Sequence, residues 1–418
     1  MNKETGNNIL KGGASQYDII AFDMDQTMAE YKLGNFMRTN FRVIAQALIN
    51  ELGYPHELYP TDEEEAEWPL LNFYIRGCID KNTLNVLKIS DDLHVLTVYN
   101  GYKKLTSEEI LAEYGQEAKL PTEGFKERFH MVPEFFEAQT LFLTIRIKEL
   151  RNRGFKNEFL DSKSIDEIIR DWKAQTAWVG NDWHKEECRL RGYLFPQLYS
   201  YPHNYLKKLT AELRTALKKL REKGKLVCLM TNSHYGYTKI LMDYISHDKD
   251  WFECFDFITV YCRKPGFFNN PEQEIFELDL ENKETSVKKV EDQANFDFEN
   301  NKIWVTGNIH RFEEYVKKKL GKEEVKGLYF GDNPGHDMVA RFLPNWDCAF
   351  IYAELGELTG EWDSKQHFDV GKTWGSHLFG LTVDGQVKKS YFFGKASQEF
   401  DLTFNAVSSA QCVDFLSR

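Results

Sequence analysis

Short apolar runs alternate with amphipathic segments along most of the chain, and this alternation predicts strands and helices in turn. Strands are predicted at 17–22, 225–230, 255–261, 326–330 and 349–352, and helices at 204–223, 235–246, 310–320 and 335–342. In the first helix leucines recur at helical spacing, and Gly224 follows as the expected stop. Strands that alternate with helices form a mostly parallel sheet with helices on both faces. The pattern therefore predicts an α/β fold.

Residues 33–202 interrupt this alternation. They contain a predicted hairpin (86–89 and 95–99) and long amphipathic helices near 133–151 and 164–178. We therefore expect residues 33–202 to form a second, α+β lobe inserted just after the first strand, with residues 1–32 and 203–418 forming the main domain. The polar segment 266–301 is predicted to be an excursion outside the core.

Composition narrows the class of protein. The 418 residues are 42% hydrophobic, enough for a core in each of two lobes. The formal net charge is −12 and no basic stripe occurs, so a nucleic-acid partner is not expected. Seven cysteines without a CxxC pair favour a reducing compartment. No signal peptide and no apolar run of about 18 residues is found, so we expect a cytoplasmic protein without a membrane partner; a homo-oligomer remains compatible with the sequence.

Polar side chains directly follow four of the predicted strands. In chain order they are Asp23 and Asp25, Thr231 and Asn232, Lys264, and Asp332 and Asp337. Taken singly, each segment also fits a solvated loop, a turn or a helix cap. In an open parallel sheet, however, ligands bind outside the carboxyl ends of the strands. The shared position of the four segments therefore favours a common catalytic site.

The residue types indicate phosphoryl transfer. Asp23 is the candidate nucleophile, because a carboxylate can attack phosphorus and form an aspartyl-phosphate. Asp25, two residues on, is predicted to protonate the leaving oxygen and later to deprotonate the attacking water. Thr231 Oγ1 and the backbone N–H of Asn232 can bind the phosphate oxygens, and Lys264 can stabilise the charge that develops in the transition state.

A divalent cation is expected to reduce the repulsion between the nucleophile and the phosphoryl group. Mg²⁺ prefers hard oxygen ligands and needs only a few carboxylates. We predict that Asp23, the backbone carbonyl of Asp25, and Asp332 supply the ligands. Asp337 would bind the metal through water or orient Lys264.

The same segments resemble the four motifs of the haloacid dehalogenase (HAD) superfamily, whose phosphohydrolases work through an aspartyl-phosphate. Residues 22–31 read FDMDQTMAEY and residues 231–239 read TNSHYGYTK. Both are similar to the cytosolic purine 5′-nucleotidases and the 5′-nucleotidase domain-containing proteins, as is the lysine motif at 263–268.

This resemblance implies a Rossmann-like HAD core in which residues 33–202 form a cap over the site. It also implies an Mg²⁺-dependent 5′-nucleotidase that hydrolyses nucleoside 5′-monophosphates, with purines favoured. Arg146 lies in a cap segment that aligns with a substrate-facing helix, so the resemblance assigns it to substrate binding.

Two alternatives stay open at this point. A nucleoside phosphotransferase would use the same residues and differ only in the group that accepts the phosphate. A catalytically silent scaffold of the same fold would be expected to have lost Asp23, Asp25 or Lys264, and the chain retains all three.

Overall fold

The computed structural model describes residues 13–67, 76–133, 135–174, 194–246, 251–279, 286–292, 303–333, 335–351, 379–391, 406–407 and 415–417. The strands in these ranges, numbered in chain order, are β1 (Ile19–Phe22), β2 (Gly77–Asp80), β3 (Val86–Ile89), β4 (Val95–Asn100), β5 (Lys103–Lys104), β6 (Phe129–Val132), β7 (Leu226–Met230), β8 (Phe257–Val260), β9 (Ile275–Asp279), β10 (Ser286–Lys289), β11 (Ile303–Thr306), β12 (Gly327–Gly331), β13 (Trp346–Ile351), β14 (Phe379–Leu381), β15 (Val387–Lys389) and β16 (Ala406–Val407).

The α-helices in the same ranges are α1 (Leu33–Leu52), α2 (Asp62–Glu67), α3 (Ser107–Tyr114), α4 (Phe125–Arg128), α5 (Gln139–Asn152), α6 (Glu158–Asp161), α7 (Ile165–Ala174), α8 (Phe195–Ser200), α9 (Ala211–Glu222), α10 (Tyr235–Ile245), α11 (Gly266–Asn269) and α12 (Ile309–Leu320). Short 3₁₀ helices occur at Ala14–Gln16, His56–Leu58, Phe135–Glu137, Pro202–Asn204, Trp251–Cys254 and Met338–Phe342.

Nine of the described strands form one large sheet in the order β10-β9-β11-β8-β7-β1-β12-β13-β16. All neighbouring pairs from β11 to β16 are parallel, whereas β9 and β10 are antiparallel additions at one end. The first strand of the chain lies in the middle, between β7 and β12. The predicted α/β fold with a mostly parallel sheet is therefore confirmed.

Apolar side chains of β1 alternate between the two faces of this sheet, as the period of two in an extended chain requires. Ile20 and Phe22 pack into a core that includes leucines of α9 and α10. Ile19 and Ala21 pack on the opposite face, against a core that includes residues of α12. Both faces of the central strand are thus covered by helices.

A second, antiparallel sheet lies within residues 77–132, in the order β5-β4-β3-β2-β6. The hairpin predicted at 86–89 and 95–99 is confirmed as β3 and β4. One face of this sheet packs against α5, in which ten of fourteen residues are buried, and the other covers a separate small core. The described part of residues 33–202 therefore contains its own sheet and its own apolar core.

Two chain segments connect residues 33–202 to the large sheet, and they run side by side. Tyr31 forms an antiparallel bridge with Leu206. The backbone N–H of Lys207 donates to the carbonyl of Glu30 at 2.9 Å, and the two side chains form an ion pair at 2.6 Å. The chain therefore enters and leaves the intervening segment at the same place.

The hairpin of β14 and β15 contacts the smaller sheet, although it follows the predicted domain boundary at 203. Ser390 bridges to Ser90, and Asp91 N–H donates to the Lys389 carbonyl at 3.1 Å. Lys388 forms a 2.7 Å ion pair with Asp92. Residues 379–391 are thus bound to residues 33–202, the inserted segment, by backbone hydrogen bonds and by an ion pair.

The helix predicted at 204–223 is shorter than expected and begins at Ala211. Its first part pairs instead with the segment that leaves β1, because Leu206 bridges to Tyr31. Thr210 then caps the helix, and its side chain accepts from the Leu213 N–H. The hydrophobic spacing was correct, but Leu206 is buried in a linker rather than on a helix.

The prediction that 266–301 lies outside the core is wrong. Residues Ile275–Asp279 form β9 of the large sheet, and Ile275 and Leu278 are buried. Strand β11 was not predicted, although all four of its residues are buried. The apolar runs of β9 and β11 are short and lie among polar residues, and they are stabilised by pairing with neighbouring strands of the large sheet.

No helix in the described part of the chain is long and apolar enough to cross a membrane. Cys78, Cys228, Cys254, Cys262 and Cys348 are free thiols. Cys188 and Cys412 lie outside the described residues.

We expect Gly327→Ala to destabilise the fold. A Cβ at Gly327 would lie 2.5 Å from the ring of Trp346, its partner on the neighbouring strand. Overpacking of this kind costs about 1–3 kcal/mol of the free energy of unfolding, which urea denaturation would measure. Because the ring causes the clash, the same substitution should cost less in a Trp346→Leu background. Equal stability of Gly327→Ala and the parent would contradict the prediction.

Candidate active site

The ends of three adjacent strands bring the predicted site residues together. Phe22, the last residue of β1, pairs with Leu229 on one side and with Phe330 on the other. Asp23 follows at once, and its N–H donates to the Phe330 carbonyl at 2.8 Å. The register of the sheet therefore places the first acidic pair between the segments that follow β7 and β12.

Lys264 is buried between two carboxylates. Its Nζ lies 2.9 Å from Asp23 Oδ1 and 2.5 Å from Asp337 Oδ1. It also donates to Tyr329 Oη at 2.8 Å, and that hydroxyl donates to the Met230 carbonyl. The lysine, which follows β8, thus joins groups from β1, β7 and β12 and the segments that follow them.

Contacts with the backbone hold Lys264 and its partner Asp337 in position. Asn232 acts as a clamp, since its Oδ1 accepts from Lys264 N–H at 2.6 Å and its Nδ2 donates to the Lys264 carbonyl at 3.1 Å. Asp337 Oδ2 accepts from Asn333 N–H at 3.0 Å. At Gly331 a Cβ would lie 2.4 Å from the Cβ of Asp337, so this close approach requires glycine.

Burial and charge determine the protonation of this group. Burial raises the pKa of Asp23, and the nearby Asp337 and Asp25 carboxylates raise it further, while Lys264 opposes the shift. For Lys264 burial favours the neutral form, but Asp23 and Asp337 outweigh it and raise its pKa. The lysine is therefore positively charged, and the acids around it outnumber it.

Three carboxylates can hold a cation at this point. Oxygens of Asp23, Asp332 and Asp337 lie within 4.8 Å of one another. Hard oxygen donors of this kind suit Mg²⁺ or a similar divalent ion. The surplus of negative charge over the single Lys264 also favours a cation, because an uncompensated buried carboxylate is costly. The residues present therefore fit a divalent metal.

Asp25 has a separate set of partners, none of them charged. Tyr31 Oη donates to its Oδ1 and Ser233 Oγ donates to its Oδ2. The hydroxyls of Tyr31 and Tyr237 lie 2.7 Å apart. Burial raises the pKa of Asp25, and the hydrogen bonds from Ser233 and Tyr31 oppose that shift.

The sequence interpretation gave no role to Tyr31, Ser233, Tyr237 or Tyr329. Tyr31 and Ser233 do stand inside the quoted motifs, but nothing local shows that both reach the same carboxylate. The contact spans 208 positions in the case of Ser233. It depends on the register of β1 with β7, which the sequence pattern does not specify.

The four strand ends open into a cavity of about 570 Å³. Thr231 lies on its wall, with its Oγ1 accepting from the Ser233 N–H at 3.0 Å. The cavity reaches the inserted segment as well. From that segment it is lined by Arg76, Phe136, Glu137, Trp172, Lys173 and Phe195. The cavity is therefore acidic at the strand ends, whereas the wall formed by the inserted segment is mainly aromatic and charged.

Arg146, which the resemblance assigns to substrate binding, lies apart from this group. It is 2% exposed and does not line the cavity. Its guanidinium donates to both carboxylate oxygens of Glu64, to the Glu57 carbonyl and to Tyr102 Oη. These bonds secure α5 to the segment that follows α1, so the residue stabilises the inserted segment.

Comparison with known proteins gives matches over most of the chain. A model of the 5′ nucleotidase family matches residues 13–374. The chain is 28% identical over 396 residues to 5′-nucleotidase domain-containing protein 1 of Bos taurus, which covers 91% of this chain and 82% of the relative. It is 29% identical to the Homo sapiens protein of that name over 351 residues, which are 81% of this chain and 72% of the relative. A 5′-nucleotidase domain-containing protein of Dictyostelium discoideum is 27% identical over 408 residues, which are 93% of this chain and 61% of the relative.

The family match begins before β1 and ends beyond β13, so it takes in every predicted site residue. A match over most of a chain is evidence about the whole fold and not about one motif. The chain belongs to the 5′ nucleotidase family, and it is a hydrolase of the 5′-nucleotidase kind.

Proposed function

We propose that this protein hydrolyses nucleoside 5′-monophosphates, with purine nucleotides favoured, in an Mg²⁺-dependent reaction through an aspartyl-phosphate. The observation that carries the proposal is the buried contact of Lys264 with Asp23 and Asp337, beside Asp332, at the end of the central strand. Burying carboxylates and a lysine ammonium together costs free energy of folding. Groups of this kind cluster at functional sites, where their chemistry is used.

In the first step a carboxylate oxygen of Asp23 attacks the phosphorus. The new O–P bond forms as the bond from phosphorus to the 5′ oxygen breaks, and Asp25 gives its proton to the leaving alkoxide. Lys264 offsets the negative charge on the phosphoryl oxygens during the transfer. Thr231 and the N–H of Asn232 bind the same oxygens.

In the second step water attacks the phosphorus of the aspartyl-phosphate. Asp25, now ionised, takes a proton from the water, and the bond between phosphorus and the Asp23 oxygen breaks. Inorganic phosphate leaves and both acids return to their starting protonation. One residue thus serves as acid and then as base.

The cation would be held by Asp23, Asp332 and the backbone carbonyl of Asp25. Asp337, which contacts Lys264, would orient that lysine or bind the metal through water. When bound, Mg²⁺ supplies positive charge between the nucleophile and the phosphoryl group and fixes their relative orientation. Support for this comes from the convergence of three carboxylates beside a single lysine.

We further propose that residues 1–32 and 203–418 form a Rossmann-like HAD core and that 33–202 form its cap. The separate sheet at 77–132, the paired linkers and the cavity wall contributed by the inserted segment support this division. A cap over the strand ends excludes water during the first transfer and selects the leaving group. A phosphotransferase would use the same machinery, with a nucleoside in place of water in the second step.

Asp23→Asn should abolish turnover, because an amide cannot form the phosphoenzyme. Phosphate release from a nucleoside 5′-monophosphate measures the loss, and acid-quenched parent enzyme should carry labelled phosphate that the variant lacks. Asp347→Asn is a suitable control, since Asp347 bonds to Tyr17 away from the cavity. Normal activity of Asp23→Asn would exclude covalent catalysis.

A phosphate-release screen tests substrate and metal together. Across purine and pyrimidine monophosphates and sugar phosphates, we expect the highest rate with a purine nucleoside 5′-monophosphate and Mg²⁺. EDTA should inactivate the enzyme and added Mg²⁺ should restore it. Mg²⁺ should also raise the unfolding temperature, because it binds only the folded site. Activity that is indifferent to chelation would remove the metal from the mechanism.

Lys264→Ala should lower kcat by roughly 10²–10³, the effect of losing one preorganised charge-stabilising donor. Steady-state kinetics with the preferred nucleotide measures it. Lys326→Ala is the control for loss of a lysine outside the site, because Lys326 forms an exposed ion pair with Asp347. A change confined to KM would show that Lys264 binds substrate and transition state equally.

A further inference from the structure

We propose that Tyr31 and Tyr237 are positioning residues that hold the carboxyl group of Asp25 in the orientation needed to protonate the leaving alkoxide. The inference rests on the proposed function, because it requires Asp25 as the acid and base. It adds two residues that act through another group rather than on the substrate.

The geometry around Asp25 restrains its rotation. Tyr31 Oη donates to one carboxylate oxygen and Ser233 Oγ to the other. Each carboxylate oxygen has two lone pairs, so a position for the transferred proton remains on each. Donors on both oxygens prevent the carboxyl group from turning about its Cβ–Cγ bond. A fixed carboxyl group can meet the leaving oxygen without a search for the correct rotamer.

Tyr31 has no access to the cavity of its own. It is 1% exposed and does not line the cavity, whereas Asp25, Ser233 and Tyr237 do. The 2.7 Å contact between the two tyrosine hydroxyls connects the buried phenol to the cavity wall. Tyr31 can therefore affect the reaction only through a neighbour, and of Asp25 and Tyr237 the first is the group proposed to transfer the proton.

Rigid surroundings fix the phenol of Tyr31. Its ring centroid lies 4.7 Å from that of Phe36 and 6.3 Å from that of Phe136, which itself lines the cavity. Its backbone is bridged to Leu206 at the paired linkers. The position of the donor to Asp25 is therefore set by the junction of the inserted segment with the large sheet.

A purely structural role is the competing explanation, and the chain contains a control for it. Tyr54 is also buried and donates to a carboxylate, that of Asp171, at 2.6 Å. Neither Tyr31 nor Tyr54 lines the cavity. Tyr54→Phe removes the same kind of hydrogen bond as Tyr31→Phe and should leave the rate unchanged.

The test compares two substrates that differ in one atom. In a nucleoside 5′-phosphorothiolate, sulfur replaces the bridging oxygen, and a thiolate leaves without a proton because thiols have a pKa near 8.5. Single-turnover release of nucleoside or thionucleoside reports the first step. Tyr31→Phe should slow that step roughly 10-fold or more with the oxygen substrate, the scale of a misplaced catalytic group. With the sulfur substrate, and in the KM for either, the change should stay within about 2-fold.

A double-mutant cycle shows whether Tyr31 acts through Asp25. In an Asp25→Ala background, Tyr31→Phe should cause no further loss with the oxygen substrate. Equal slowing of both substrates, or additive losses in the cycle, would overturn the inference. If Asp25→Ala itself shows no preference for sulfur, the acid assignment in the proposed function fails instead.

Unfolding temperatures identify variants that fail to fold. Should Tyr31→Phe be unstable, Tyr237→Phe and Ser233→Ala answer the same question. Each removes one restraint in the network while leaving Tyr31 in place. The same selective slowing with the oxygen substrate is expected of both, and a uniform effect or none would count against the network.

Discussion

The ammonium group of Lys264, buried against Asp23 and Asp337, is the interaction on which the site depends. Removing three charges from water costs several kcal/mol per ion, and their mutual attraction compensates only when the geometry is close. Here the Asn232 clamp, the Asn333 N–H and the missing side chain at Gly331 supply that geometry. The positions of the charged groups thus depend on where the backbone places them, and the register of the strands determines those backbone positions.

Strand order explains why these positions meet. β1 is central, with the strands before Thr231 and before Asp332 as its immediate neighbours. Residues hundreds of positions apart become adjacent because parallel strands end at the same edge of the sheet. That edge could be predicted from the sequence, since apolar runs followed by acidic, hydroxyl or lysine residues mark each strand end. The common placement of the seven predicted residues near one edge needed no knowledge of the rest of the fold.

Other features could not be predicted because their cause is not local. β9 and β11 are short apolar runs within a largely polar stretch of sequence, and they are stabilised by pairing with each other and with β10 and β8 in the large sheet. Arg146 looks like a substrate ligand from its helix alone, but Glu64 and the Glu57 carbonyl satisfy its guanidinium. The hairpin at 379–391 docks on a sheet almost 300 residues earlier in the chain, through an ion pair between positions 296 apart. In each case the deciding partner is distant in sequence.

The two acids of the first motif show how environment separates chemically identical groups. Asp23 and Asp25 are both buried, and burial alone would raise the pKa of each. Asp23 faces a lysine and two further carboxylates, a setting that a cation and a phosphoryl group can complete. Asp25 is hydrogen-bonded to two hydroxyl-bearing side chains, Tyr31 and Ser233, so it can gain or lose a proton without breaking an ion pair. Pairs of titratable groups with contrasting surroundings are how one site performs different steps at one pH. Asp23 and Asp25 are only two residues apart on one loop, but their side chains contact different groups. Their different roles as nucleophile and as acid therefore follow from those contacts.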